Sequence, residues 1–505
     1  MASTVKSFAL VGVDGYLVDI ETNTVFGQPL ITIIGLGDQS IKEANERIQA
    51  AIIHEGFVVP KMKIVINLAP GDIKKKGSHF DLGMAIGLLQ QSGQITAQCV
   101  KEYAYLGELS LNGRLRGCNG VLPMIIAARR IGIQNVIVPN ENLEEACLVK
   151  DIAIFGFDDL KTVVSFLEWK GGYEPKSVSH HDVKTSGIRP DLDFSDVKGQ
   201  DHIISYAVVA AAGGHNMLMI GEPGCGKSMI AQRLPTILPV MSEEEALEVT
   251  KIYSVSGLLQ NNRNLITDRP FRTPHHNASL NALIGGGINA TPGEVSLAHN
   301  GVLFLDELVE FNRNTLEALR QPMEDKKVTI SRVSGTNIYP ANFMFIAAMN
   351  PCPCGYYGNV KCKCTPYQVD KYKQRLSGPL LDRIDIHKYF TPVNFFELSN
   401  HKPAKSSSEL RGFVERARKI QRLRFSDLDG INCNDQMTPQ LIKEYCTVED
   451  DSLKIMRTAF DQYGYSARTF NKLLRIARTF ADLEESKMIR KKDIIHGLKA
   501  RDLSA

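Results

Sequence analysis

The 505-residue sequence is short of several things that would have settled its class. It has no uninterrupted apolar run of the about 18 residues that a membrane-spanning helix needs, so no membrane span is expected. Its first residues, Met1-Ala2-Ser3-Thr4-Val5-Lys6, lack the charged leader and apolar core of an export signal, which makes the cytoplasm the expected location. Charge of one sign is missing too. The 59 Lys and Arg against 56 Asp and Glu leave a net +3, too little to name a charged partner from composition. Ten cysteines in so long a chain do not make a disulfide scaffold, and four of them crowd into 352–364, where metal is the better reading. No RNA- or base-reading motif is found. What is left, 43% hydrophobic and 23% charged, is ordinary globular composition, enough for roughly two to four domains.

The feature that organises the chain is Gly221-Glu222-Pro223-Gly224-Cys225-Gly226-Lys227-Ser228, which fits G-x-x-x-x-G-K-[ST]. It follows the apolar run Asn216-Met217-Leu218-Met219-Ile220 and precedes the helical pattern Met229-Ile230-Ala231-Gln232-Arg233-Leu234. Strand, glycine loop and helix are the context in which backbone N–H groups and a helix N-terminus converge on phosphate. Lys227 is then expected to reach the β- and γ-phosphates of ATP, and the Ser228 hydroxyl to bind Mg²⁺. A second run, Gly301-Val302-Leu303-Phe304-Leu305-Asp306-Glu307, reads as a buried central strand ending in two acids. Asp306 would help hold Mg²⁺ and Glu307 would polarise the attacking water. A third, Phe343-Met344-Phe345-Ile346-Ala347-Ala348-Met349, ends in Asn350, placed to orient water against the γ-phosphate. In Leu380-Leu381-Asp382-Arg383-Ile384-Asp385, Arg383 has the place of an arginine finger acting on a neighbouring subunit, which would require a ring or filament. A salt bridge to Asp382 or Asp385 is the plainer alternative.

Upstream, 1–170 reads as a mixed α/β domain, with strands at 5–18, 29–34 and 63–68 and helices at 41–54 and 80–89. On the first helix Ile41, Ala44, Ile48, Ala51 and Ile52 share a face. The stretch from Asn67-Leu68-Ala69-Pro70-Gly71-Asp72 to Gly77-Ser78-His79-Phe80-Asp81, with Leu106-Gly107-Glu108-Leu109 later, resembles the proteolytic domain of Lon-type proteases. Those enzymes use a Ser–Lys dyad. Here His79 stands at the serine position with Ser78 one residue off, and Asn119-Gly120-Val121-Leu122-Pro123 supplies no lysine, so a Lon-like fold without peptidase activity is expected. The run Lys74-Lys75-Lys76 is read as a solvated loop, with a DNA-contacting loop as the alternative. Residues 171–192 are polar and aperiodic, an interdomain linker.

Residues 193–392 form the ATPase core, whose first segment, with its apolar helix at 204–212, resembles that of AAA+ ATPases. Two stretches in it could be hairpins that hold DNA: Gly285-Gly286-Gly287 to Pro292-Gly293-Glu294-Val295, and Lys326-Lys327-Val328-Thr329-Ile330-Ser331-Arg332-Val333-Ser334-Gly335-Thr336-Asn337-Ile338. Lys326, Lys327 and Arg332 could contact phosphates without reading sequence; a solvated hairpin edge would use the same lysines. His275 and His276, being adjacent, would face opposite ways in a strand and suit structural or DNA-contact roles better than a shared metal. Cys352, Cys354, Cys362 and Cys364 form C-x-C, seven residues, C-x-C, tighter than the common zinc knuckle but able to close a tetrahedral Zn²⁺ site. Residues 393–505 read as a helical lid. Its basic stretch at 410–425 (Arg411, Arg416, Arg418, Lys419, Arg422, Arg424) is taken as a solvated face by default, with DNA or an adjacent subunit as the alternative. Arg468 resembles a sensor-2 arginine that contacts nucleotide in cis.

The order of P-loop, Asp-Glu strand, Asn350 and Leu-Leu-Asp-Arg is similar to the magnesium-chelatase and MCM-helicase branch of AAA+ proteins. With the Lon-like front and Phe271-Arg272-Thr273-Pro274-His275-His276, the whole chain resembles the bacterial ComM/YifB family. The resemblance implies an α/β architecture: a Lon-protease-like N-terminal domain, an AAA+ P-loop parallel-sheet core and a helical C-terminal lid. It further implies a homohexameric ATPase, linked to natural transformation, that drives DNA branch migration with ATP and Mg²⁺.

Overall fold

The computed structural model describes residues 2–169, 173–176, 192–259, 265–287, 290–332, 335–391, 404–428, 430–463 and 466–501. Most of the expected linker, the expected junction with the lid, the hairpin residues 288–289 and 333–334, and Tyr465 lie outside these.

The N-terminal part is a seven-stranded mixed sheet. In spatial order its strands are Leu30–Ile34, Lys63–Ala69, Asp14–Val25, Ser3–Val11, Tyr103–Tyr105, Asn135–Pro139 and Ala153–Phe157. Helix Gln39–His54 starts where the Asp38 carboxylate accepts from Ile41 N, and it buries Ile41, Ala44, Ile48, Ala51 and Ile52, the stripe its spacing predicts. The strand expected over 5–18 is instead two antiparallel strands, because the chain reverses at Gly12 with φ 63°. Only glycine suits that turn on both counts: the left-handed φ, and Ile338 O lying 2.8 Å from where a Cβ would sit. Lys75 also departs from expectation. It is fully buried, held by backbone bonds between Lys75 and both Leu36 and Asp38, so this part of the basic run is core and not solvated loop. Tyr173, expected in the linker, packs on Phe157 and Phe166.

The second part is a five-stranded sheet, parallel throughout, in the order Phe271–Arg272, Val302–Leu305, Met344–Met349, Met217–Ile220, Ile386–Tyr389. The middle strands are buried along their whole length, which is why they read as unbroken apolar runs. Parallel strands bring all their C-terminal ends to one edge, and there the runs ending before Gly221, Asp306 and Asn350 meet. Both expected hairpins form. Gly285–Gly286 pairs with Thr291–Pro292, and Lys327–Arg332 pairs with Gly335–Pro340. They pack on each other, with Tyr339 OH donating to Ala290 O at 2.7 Å.

The C-terminal part is helical, including Ser407–Arg424, Ala467–Leu483 and Lys491–Lys499. The basic helix is a solvated face only in part: Arg416, Lys419 and Arg422 are exposed, and the other three cations are not. Arg411 donates to Thr236 O, Arg418 to Ala211 O, and Arg424 pairs with the buried Asp482, so these three tie the lid to the core and to itself. The N-terminal part meets the ATPase core through Ser254, which hydrogen-bonds Glu145 and accepts from Gly120 N, and through Lys150 on Glu243 at 2.7 Å. No helix among the described residues is long and apolar enough to cross a membrane.

Candidate active site

Helix Lys227–Ile237 begins at Gly226, whose φ of 93° turns the glycine loop into the helix axis. Lys227 is nearly buried; its Nζ donates to Gly221 O at 2.7 Å, to Glu222 O at 2.9 Å and to Asn350 Oδ1 at 3.3 Å. Ser228 Oγ donates to Asp306 Oδ2 at 2.7 Å. Two separate runs of sequence thus place a hydroxyl and a carboxylate side by side at the sheet edge, the donor pair a magnesium ion takes in such sites. Asp306 Oδ1 accepts from Glu307 N at 2.9 Å, and Glu307 itself sits at φ 50° with its carboxylate well exposed. A non-glycine residue in that region costs about 1–2 kcal/mol, which the surrounding contacts must offset.

One partner was missed. His276 Nδ1 lies 3.3 Å from Glu307 Oε2. The His-His pair stood out in the sequence, but nothing local links it to a carboxylate more than thirty residues away; only the parallel pairing of Phe271–Arg272 with Val302–Leu305 does.

Arg383 is not bonded to Asp382 or Asp385. Its Nη2 lies 2.6 Å from Glu324 Oε2, while Nε donates to Arg320 O and Nη1 to Pro379 O. Arg468 pairs with the other oxygen of the same Glu324. Arg468, expected to contact nucleotide from the lid in cis, thus shares one carboxylate with Arg383. The reason lies four residues on. Lys472, on the same helix, pairs at 2.8 Å with buried Asp385, and Asp385 Oδ2 accepts from Asn216 N. Burial opposes ionisation of Asp385, but Lys472 and His215 hold its carboxyl well below the usual range. The lid helix is keyed to the segment that carries Arg383.

Of the expected DNA contacts, Lys327 and Arg332 are exposed on the hairpin. Lys326 is not. With φ 53° it turns back and pairs with Asp435 of the lid at 3.4 Å.

The cysteines do converge. The sulfur atoms of Cys352, Cys354, Cys362 and Cys364 lie within 4.8 Å of one another, with Cys352–Cys354 at 3.4 Å, Cys354–Cys362 at 3.7 Å and Cys352–Cys362 at 3.9 Å. Tetrahedral zinc with Zn–S bonds of about 2.3 Å separates its sulfurs by about 3.8 Å, so the donor set fits. Backbone N–H groups of Tyr356 and Lys363 pull the Cys354 thiol down to about 6.

In the N-terminal part, Ser78 Oγ donates to Glu108 and His79 is buried with Nε2 on Phe8 O at 2.9 Å. Burial lowers His79 to about 4.

Comparison with known proteins fits this arrangement. A family model described as magnesium chelatase, subunit ChlI, matches residues 193–398; a second, subunit ChlI of Mg-chelatase, matches 20–142; a third, the ChlI C-terminal region, matches 404–501. Competence protein ComM of Haemophilus influenzae is 39% identical over 493 residues, covering 96% of this chain and 94% of that one. The chain belongs to the ComM/YifB family. The YifB protein of Escherichia coli is 39% identical over 501 residues, 99% of this chain and 97% of its own. A Lon protease of Finegoldia magna is 30% identical over 146 residues, 27% of this chain and 18% of its own, in keeping with a Lon-like part within this magnesium-chelatase-like AAA+ family.

Proposed function

We propose that the chain is an ATP-hydrolysing motor that assembles as a homohexameric ring and moves on DNA, driving branch migration during natural transformation or homologous recombination. The observation that carries the reading is the division of the charges. Lys227, Ser228, Asp306, Glu307 and Asn350 meet at one edge, while Arg383 and Arg468 meet elsewhere on a single carboxylate. Two guanidiniums on one acid leave a net positive charge, suited to the phosphates of a nucleotide held by the next subunit. The name of the Haemophilus relative supports the link to competence.

In this reading the P-loop N–H groups seat the phosphates, and Lys227 exchanges its carbonyl partners for the β- and γ-oxygens. Ser228 and Asp306 would hold magnesium, which when bound neutralises charge on those oxygens. Glu307 takes the proton of the attacking water, held for that task by His276, and Asn350 orients the water. Lys327 and Arg332 face DNA phosphates on the hairpin. The four cysteines hold structural zinc. The setting is the cytoplasm, where ATP and DNA are.

The ring reading is tested by mixing two variants, Lys227→Ala and Arg383→Ala, each inactive alone. At equal amounts about a quarter of interfaces would join an intact P-loop to an intact finger, and hydrolysis should return to that extent. A mixture as silent as its components would contradict a finger in trans. The family models favour a second reading, a protein-remodelling subunit resembling the chelatase motor. ATP turnover indifferent to every DNA would shift the assignment there.

A further inference from the structure

The 350–364 loop contains no strand or helix, yet it rests on the phosphate-binding loop. Asn359 Nδ2 donates to Glu222 Oε1 at 3.0 Å. Gly355, at φ 88°, approaches the Pro223 ring so closely that a Cβ there would fall 2.8 Å from its Cγ and Cδ. At its start, Asn350 meets Lys227 Nζ at 3.3 Å. The contacts therefore span the glycine loop from Glu222 and Pro223 to the lysine.

Fixing an irregular loop costs about 1–2 kcal/mol per residue in backbone entropy. This one has little apolar surface to offset that. Cys352 is buried, but Val360 and Tyr357 are exposed and Cys354, Cys362 and Cys364 are only partly covered. What the loop does have is its sulfur cluster, which spans it from Cys352 to Cys364. A cross-link there would hold the Gly355 turn and Asn359, both of which lie between the cysteine pairs. Lys361 and Lys363, exposed in the same loop, offset the charge of about −2 that a tetrathiolate zinc centre carries.

We propose that a zinc ion held by Cys352, Cys354, Cys362 and Cys364 clamps the phosphate-binding loop through Gly355 and Asn359, so that metal occupancy sets nucleotide affinity. This rests on the zinc reading above and adds a consequence that reading does not require. Binding forms four Zn–S bonds and releases the thiol protons to solvent. Nucleotide is then received by a loop already in shape, and the ordering cost has been met by the metal.

The test uses the full chain, purified under reducing conditions, with metal content and binding of a fluorescent ADP analogue measured separately. The wild type should carry about one zinc per chain. Stripping it with a mercurial reagent and chelator should weaken ADP-analogue binding about tenfold, and added zinc should restore it. Asn359→Ala should keep its zinc and still bind the analogue about fivefold more weakly, the loss of one charge-assisted hydrogen bond. Because this variant leaves the sulfur cluster whole, it tests the clamp without disturbing the metal site. Zinc that is present and removable with no change in affinity would overturn the clamp alone, as would wild-type binding by Asn359→Ala. A wild type without zinc would overturn the zinc reading and the clamp with it.

Discussion

Two serines in this chain lie one or two residues after a glycine, in the loop-to-helix stretch that follows a strand, and they have opposite neighbourhoods. Ser228 lies beside Lys227 and donates to Asp306. Ser78 donates to Glu108, and Glu108 stands near Asp81, which burial pushes up to about 6 even against its bond to Arg47. Burial pushes Cys118 up as well, with Glu145, Glu108 and Asp81 adding to it. One site gathers a lysine at the start of a helix, a setting suited to phosphate; the other gathers acids and a buried histidine, a setting that would oppose a developing oxyanion. The chemistry follows from the neighbours and not from the serine.

Four changes sharpen the contrast. Lys227→Ala should abolish ATP turnover altogether, whereas Ser78→Ala should leave turnover unchanged and cost about 1 kcal/mol of stability at most. A phosphate-release assay and a urea titration separate these, and loss of turnover in Ser78→Ala would undo the distinction. Arg383→Ala should lower turnover by about 10³-fold or more while nucleotide still binds, which an ADP-analogue titration alongside steady-state kinetics would show. His276→Ala should lower turnover about tenfold with little change in KM, because it loosens Glu307 without touching the phosphate seat; a change in KM alone would remove His276 from the site.

A further effect is on stability and not on turnover, and it is set by pH. His79 is held neutral with its pKa near 4, against about 6.5 in the unfolded chain. The unfolded state therefore binds the extra proton, and stability should fall as pH drops from about 6.5 toward 4, by about 3 kcal/mol over the full window. His387, lowered by burial to about 3, acts with the same sign in the ATPase core. Urea midpoints at pH 7.5 and 5.5 would measure the slope, and His79→Gln should flatten the N-terminal part of it.

What could be read in the sequence was whatever is contiguous. The P-loop, the Asp306-Glu307 run, the run into Asn350 and the face of helix Gln39–His54 are each local patterns, and a buried parallel strand announces itself by unbroken apolar residues. The cysteine spacing also gave the convergence. What could not be read is set by pairs distant in the chain. Glu324 draws no attention in its own surroundings, and only folding shows that it holds both Arg383 and Arg468. Lys326 looked like a hairpin cation until a left-handed turn sent it to Asp435. The reversal at Gly12 hides within a continuous apolar and polar alternation, and Lys75 looks solvated because its two lysine neighbours suggest so.

The central claim is that hydrolysis at Lys227, Ser228, Asp306 and Glu307 moves DNA. The direct measurement is strand displacement from a labelled three- or four-way junction with ATP, set beside a forked duplex and beside Lys227→Ala. The account predicts that the wild type resolves the junction in an ATP-dependent way and that Lys227→Ala leaves it intact. A junction untouched by the wild type, with ATP turnover the same whether or not any DNA is present, would contradict it.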